Sequence, residues 1–152
     1  MQPPSLPSSD AIRFRFVTRT RWSDEDRQGV LNNAVHLCLM EEARFAYFEA
    51  LGLLEEGRFP FLVAQSNVRY LAPGRGGVEV VVELATTRLG TSSFGQVYRV
   101  RERSSGKVWC EAEALLVWYD ERTGTSREMS PEFRRMVAAY EGLEVEGGVG
   151  GR

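Results

Sequence analysis

The sequence predicts an α+β fold in which one antiparallel five-stranded sheet wraps around a single long helix, with a short helix closing the chain. Three observations carry this. One stretch of about a dozen and a half residues has helical periodicity and few polar positions. Four strand-like segments follow it at short, regular spacing with hairpin turns between them. Ser130-Pro131 then opens a last helical stretch.

Taken in order, residues 1–10 hold three prolines and three serines and read as a loose tail, as do residues 143–152, which end in Gly-Gly-Val-Gly-Gly-Arg. A single domain is expected over residues 11–142. Ile12, Phe14 and Phe16 alternate with Arg13 and Arg15, the period of a half-buried strand. Trp22–Asn33 is polar and contains a glycine, so it reads as a loop. From Ala34 to Leu51 the residues Leu37, Met40, Arg44, Tyr47 and Leu51 recur at helical spacing, while Glu41, Glu42 and Glu49 group elsewhere. Leu37, Cys38, Leu39 and Met40 make the first turns apolar nearly all round, which predicts burial on most sides. Gly52 stops the helix.

The strand candidates are Phe61–Tyr70, Val78–Thr87, Ser93–Arg103 and Lys107–Tyr119, separated by turns at Pro73-Gly74, Leu89-Gly90-Thr91-Ser92 and Ser104-Ser105-Gly106. The last helix takes Ser130 as N-cap and Pro131 as its first residue and runs to about Glu141. A small sheet of this kind leaves an open edge, and pairing with a second copy manages it, so a homodimer or a dimer of dimers is expected.

Composition narrows the function. With 19 basic residues among 21 acidic ones and a net charge of −2, no concentration of cations points to nucleic acid. No apolar run approaches the ~20 residues of a membrane span, and the first residues do not read as a secretory signal. Cys38 and Cys110 sit in apolar segments without a neighbouring thiol and read as reduced core cysteines of a cytoplasmic protein.

His36 is the single histidine, so it would have to serve as base in any Ser-His-Asp or Cys-His system. It lies inside the predicted helix with apolar neighbours and no G-x-S-x-G elbow, which favours a packed helix residue. One histidine among scattered carboxylates provides no zinc set, and no metal is expected. The loop Asp24-Glu25-Asp26 is more informative. It precedes Gly29, which permits a tight turn, and Asn32, a good N-cap. The first amides of a helix have no intrahelical partners, and with the positive end of the helix dipole they can hold an oxyanion. A carboxylate beside them can attack or activate water. By itself this pattern is also that of a solvated, ordinarily capped loop.

The run from Trp22 to Asn33, continuing through His36 to Glu41-Glu42-Ala43-Arg44, resembles the opening of hot-dog-fold thioesterases, most closely the 4-hydroxybenzoyl-CoA thioesterase-like branch of acyl-CoA thioesterases. Asp26, Gly29, Asn32, Asn33, Glu41 and Arg44 fill the places of that family's motif. Asn67–Pro73, Leu89–Phe94, Tyr119-Asp120 and Pro131 resemble later segments in the right order. Many relatives carry His where this chain has Val30, and an aromatic residue where it has His36.

The resemblance implies a hot-dog fold and hydrolysis of an acyl-CoA thioester, with Asp26 as base or nucleophile and the backbone N–H of Asn33 as oxyanion donor. It implies no cofactor, coenzyme A being part of the substrate. Gly29 and Val30 would border the site, and Phe61, Leu62 and Val63 would shape the acyl end. Arg69, Arg75, Arg88, Arg99 and Arg101 are cation candidates for the phosphates, and the turn Gly90-Thr91-Ser92-Ser93 can offer amides and hydroxyls. Glu41 is expected to bond within the site or to pair with Arg44. The alternatives are a non-catalytic hot-dog module that binds acyl-CoA without needing Asp26, a hydratase using His36, and a purely structural protein.

Overall fold

The computed structural model describes residues 2–144. Strand β1 (Phe14–Arg19) leads through a loop to helix α1 (Asn33–Ala50). Strands β2 (Phe61–Tyr70), β3 (Glu79–Leu89), β4 (Ser93–Glu102) and β5 (Val108–Asp120) follow, then a two-residue strand β6 (Thr125–Ser126) and helix α2 (Pro131–Glu141). The main sheet has the order β1-β3-β4-β5-β2 with every pairing antiparallel, and β6 adds to β5 alone. The expected curled antiparallel sheet, long helix and short closing helix are therefore present. The stretch from residue 145 onward, read as a tail, lies outside the described residues.

Each element forms for a local reason. The Asn32 side chain accepts the Ala34 N–H at 2.9 Å and starts α1 one residue earlier than its apolar periodicity suggests. Ser130 caps α2 by accepting from Phe133, Pro131 takes the first turn, and Gly142 closes it in the left-handed region at φ 68°. Along β4, Phe94, Gln96, Tyr98 and Val100 face the helices, and Gly95, Val97, Arg99 and Arg101 face the other way.

The core lies between the sheet and the two helices. Ala43, Tyr47 and Phe48 are fully buried, and the small Ala43 lets the α1 backbone approach the strands. Phe48 stacks on Phe133 of α2 with ring centroids 5.2 Å apart and tilts against Phe61 at 5.1 Å. Phe61 is accordingly a core residue in an aromatic cluster with Phe59, Phe94 and Phe133, and not part of an acyl-binding surface.

Other expectations fail. α1 is not buried on most sides: Leu37 is 45% and Phe45 39% exposed, and Cys38 is also exposed. The helix lies mainly over β1, β3 and β4 and meets β2 at its ends through Phe48 and His36, while the middle of β2, from Leu62 to Ser66, is exposed. Cys110 alone is a core thiol, and burial pushes it up to about 12.

The N-terminal residues form no loose tail. Pro4 is buried, and Leu6 packs with Ile12, Ala85 and Val97 on the sheet's outer face. A short 3-10 turn at Ser9–Ala11 diverts Ile12 from the strand. Beneath this strap lie charges that apolar periodicity does not reveal. Arg99 and Arg101 both bind the fully buried Glu83 at 2.9 Å. Arg99 also reaches Glu111 at 3.0 Å, Ser9 Oγ at 3.1 Å and the Pro7 carbonyl at 3.1 Å. Burial alone would raise the Glu83 carboxyl, but hydrogen bonds from the two arginines hold it below the usual carboxylate range.

Candidate active site at the start of the long helix

Asp26 stands in a tight turn between two short backbone pairings. Its N–H donates to the Val30 carbonyl at 2.9 Å, and the Gly29 N–H donates to its carbonyl at 3.0 Å. Gly29 has φ 74°, where a side chain would be strained. The Gln28 N–H donates to Asp26 Oδ1 at 2.8 Å, which fixes the carboxylate over the turn. Among the described residues Oδ2 has no protein partner. Asp24, by contrast, is committed to structure: its Oδ2 accepts the Arg21 N–H at 2.8 Å, and Oδ1 lies 3.3 Å from the Arg21 guanidinium.

The loop is pinned to the sheet just behind the helix. The buried Leu31 donates its N–H to the Gly74 carbonyl at 2.9 Å. A Cβ at Gly74 would come within 2.7 Å of the Trp109 ring and 3.1 Å of Leu31 Cβ, so only glycine lets these segments close up. Asn32 donates its N–H to the Asp24 carbonyl at 2.9 Å, and Val35 donates to the Asn32 carbonyl at 2.9 Å. The Asn32 side chain takes the Ala34 N–H, which leaves the Asn33 N–H without a partner among the described residues. Tyr70, at the end of β2, donates its hydroxyl to the Asn33 carbonyl at 3.2 Å and ties the helix start to the sheet edge.

His36 lies one turn further on and is only 2% exposed, with its ring edge-on to Tyr70 at 5.3 Å and to Trp109 at 6.4 Å. Burial pushes it down to about 4, so at neutral pH the imidazole is uncharged, and its Nδ1 has no partner among the described residues. It is packed in the helix, as its apolar neighbours imply.

The fold recurs in known proteins. The model of the thioesterase-like superfamily matches residues 20–137. The chain belongs to that superfamily. A thioesterase from Thermus thermophilus, solved in complex with coenzyme A and Zn, is 34% identical with a TM-score of 0.78, covering 89% of this chain and 99% of its own. A putative thioesterase from Pseudomonas aeruginosa is 32% identical with a TM-score of 0.74, covering 84% and 99%. A 1,4-dihydroxy-2-naphthoyl-CoA thioesterase from Synechocystis shares the fold at 15% identity and a TM-score of 0.75, covering 82% and 95%. This superfamily member is a thioester hydrolase with a hot-dog fold.

The hydrolase does not gather every residue that its sequence nominates. Asp26, Gly29, Val30 and Asn33 cluster at the end of the sheet where β1 and β2 finish. Phe61, Arg88 and the turn Gly90-Thr91-Ser92-Ser93 stand at the opposite end, about 35 Å away by the length of β3. In that turn the Thr91 and Ser92 carbonyls already accept from Met129 and Trp118, and the Gly90 carbonyl accepts from Arg134. Arg69 sits at the near end but points to the outer face, opposite Glu111.

Three of the cation candidates are consumed by ion pairs. Arg75 holds Glu102 at 2.7 Å, and Arg99 and Arg101 hold Glu83. Glu41 makes no ion pair with Arg44; the latter is buried and donates its Nε to the Tyr98 hydroxyl at 2.8 Å. The signal for a special Arg44 was present in the sequence, as one charged residue within the apolar helical stripe. Val63, 46% exposed, does face a cavity of about 200 Å³ between β2 and α1. Among the described residues no group of His, Cys, Asp and Glu is placed to hold a metal ion, and no helix is long and apolar enough to cross a membrane.

Proposed function

We propose that the protein hydrolyses acyl-CoA thioesters to a free acid and coenzyme A, with Asp26 as base or nucleophile and the Asn33 backbone N–H as oxyanion donor. The observation that carries this is the Asn33 amide, without a partner among the described residues, at the head of an 18-residue helix that follows the turn of a carboxylate held by one oxygen. The carbonyl oxygen would gain negative charge as the tetrahedral intermediate forms, next to an N–H and the positive end of α1. Asp26 would either take a proton from the attacking water or attack the carbonyl itself, in which case water afterwards cleaves the mixed anhydride to the free acid and restores the carboxylate. The bond to sulfur then breaks, and because a thiolate is a good leaving group, little help from a general acid is required. Val30 supplies no second acid or base. On this account no cofactor is needed, and activity is expected to persist after dialysis against EDTA.

Coenzyme A as the leaving group is supported by the Thermus relative, whose structure contains it. The remaining candidates make sense in a homodimer. β2 is an open edge with Leu62 54% and Val63 46% exposed. Antiparallel pairing of β2 with β2 of a second copy would set one protomer's Tyr70 and Asn33 beside the other's Phe61 end. The second copy's Arg88 and Gly90–Ser93 turn would thereby approach the CoA arm. Association of such dimers into tetramers fits the same scheme. The exposed thiol of Cys38 suits a reducing cytoplasm.

The decisive assay follows free-thiol release from a panel of acyl-CoAs by the wild type and Asp26→Asn. A loss of about 10²–10⁴-fold in kcat is expected. Unchanged activity in Asp26→Asn would overturn the catalytic assignment. A wild type that binds acyl-CoA but hydrolyses none would mark a non-catalytic binding module.

A further inference from the structure

The helix that presents the Asn33 amide also carries a charged group with no place in a plain hydrocarbon slot. Asn33, Leu37, Met40 and Arg44 recur at helical spacing and form one stripe on α1. This stripe borders the exposed middle of β2, where Leu37, Met40, Arg44, Val63, Ser66 and Tyr98 line the cavity of about 200 Å³. Arg44 closes its inner side and is 7% exposed.

One end of the Arg44 guanidinium is anchored. Its Nε donates to Tyr98, whose ring centroid lies 5.3 Å from the guanidinium carbon. Tyr98 donates to Gln96 Oε1 at 2.6 Å, and Gln96 Nε2 donates to Thr86 Oγ1 at 3.1 Å. Thr86 contacts the Tyr47 hydroxyl at 3.1 Å, and Tyr47 donates to Glu141 at 2.7 Å. A continuous buried chain therefore holds this side chain in one position. Its other two nitrogens have neither a hydrogen bond nor an ion pair among the described residues. Glu41 borders the same cavity but does not reach them, and the Glu113 carboxylate is turned to the opposite face of the sheet, where Asn67 donates to it at 3.0 Å. A buried guanidinium without a carboxylate is costly, and its planar fork matches a carboxylate in two parallel hydrogen bonds.

We infer that Arg44 reads the far end of the acyl group, and that the preferred substrates are CoA thioesters of medium-length acids that end in a second carboxylate. The inference rests on the hydrolase reading above. With the reacting carbonyl at the Asn33 N–H, the methylenes run along Leu37, Met40 and Val63, and the terminal carboxylate meets the open edge of Arg44. The eleven residue steps from Asn33 to Arg44 span about 16 Å of helix, shortened somewhat because side chains lean towards the N-terminus. That reach suits a chain of intermediate length rather than a short dicarboxylic unit.

The test compares suberoyl-CoA with octanoyl-CoA, which differ in having a carboxylate or a methyl at the far end, by free-thiol release. The wild type is expected to favour suberoyl-CoA by at least about tenfold in kcat/KM, and Arg44→Met to bring that ratio towards one. Arg44→Lys, which keeps the charge but not the fork, is expected to fall between and carries the test if the methionine variant does not fold. A wild type that prefers octanoyl-CoA or does not discriminate would overturn the inference, as would a preference that survives the substitution. So would an Arg44→Met variant that keeps the ratio but no longer associates in sedimentation, since Arg44 would then be meeting a carboxylate of a second copy. If neither thioester is hydrolysed, the hydrolase reading fails and a calorimetric titration with suberate decides the inference. Binding that Arg44→Met abolishes sustains it, and absence of binding by the wild type refutes it.

Discussion

His36 shows how much one buried side chain can govern. The imidazole is pushed down to about 4 by desolvation, from an unfolded value near 6.5, with no compensating carboxylate among the described residues. The unfolded chain therefore binds a proton more readily than the native one, and stability is lost as pH falls. The contribution is intact above about pH 6.5 and drains away towards pH 4, by up to about 3 kcal/mol. Urea titrations at neutral and acidic pH are expected to show this loss in the wild type and a smaller one in His36→Phe. At the same scale the sequence was informative about type but not about partners. It placed Asp26, Gly29 and Asn33 together, because a turn and a helix start are local in the chain. It could not tell that Arg99 and Arg101 are spent on Glu83, because those contacts run between β3 and β4 across positions 16 and 18 residues apart in the chain. Nor could it separate Phe61, buried in an aromatic cluster, from Val63, which opens on a cavity two residues away.

Among the elements, α2 offers the cleanest test of local coding. Ser130 Oγ accepts the Phe133 N–H at 3.2 Å, and Phe133 is buried against Phe48 and Trp118. Ser130→Ala is expected to cost about 1 kcal/mol in chemical denaturation, with the fold retained. Truncating the packing residue is more severe: Phe133→Ala is expected to cost about 3–5 kcal/mol, since no neighbour can fill the void. Strand and helix limits were legible wherever apolar period and capping residues agreed, as for β2 and α2. The two-residue β6 was not, because an exposed strand that short carries no alternation; its turn is set instead by the Asp120 side chain accepting from Arg122 and by Gly124 at φ 69°. The exposed positions of α1, Leu37 and Phe45, were not legible for a different reason. An apolar helix face reads the same whether its own sheet, a substrate or another copy covers it.

At the scale of the whole molecule, the N-terminal strap ties the outer face together. Leu6 packs there, Pro7 and Ser9 serve Arg99, and the Gln2 carbonyl accepts from Asn67. Removal of residues 1–8 is expected to lower stability by about 2 kcal/mol, read as a fall in Tm. Proline- and serine-rich composition concealed this role, since the contacts are made by backbone carbonyls, one serine hydroxyl and one leucine.

The two edges of the sheet are unlike. β2 is ten residues long and apolar in part, with a bulge between Val63 and Gln65. β1 is six residues long, and its Arg15 and Arg19 fold back onto the carbonyls of Ser9 and Gly77. A ribbon that grew by joining β1 of one copy to β2 of the next would have to displace those arginines at every junction and accommodate a kink in only one of the two strands. Each added copy would meet the same two obstacles, so the exposed strand that invites one neighbour is a poor template for a fibre.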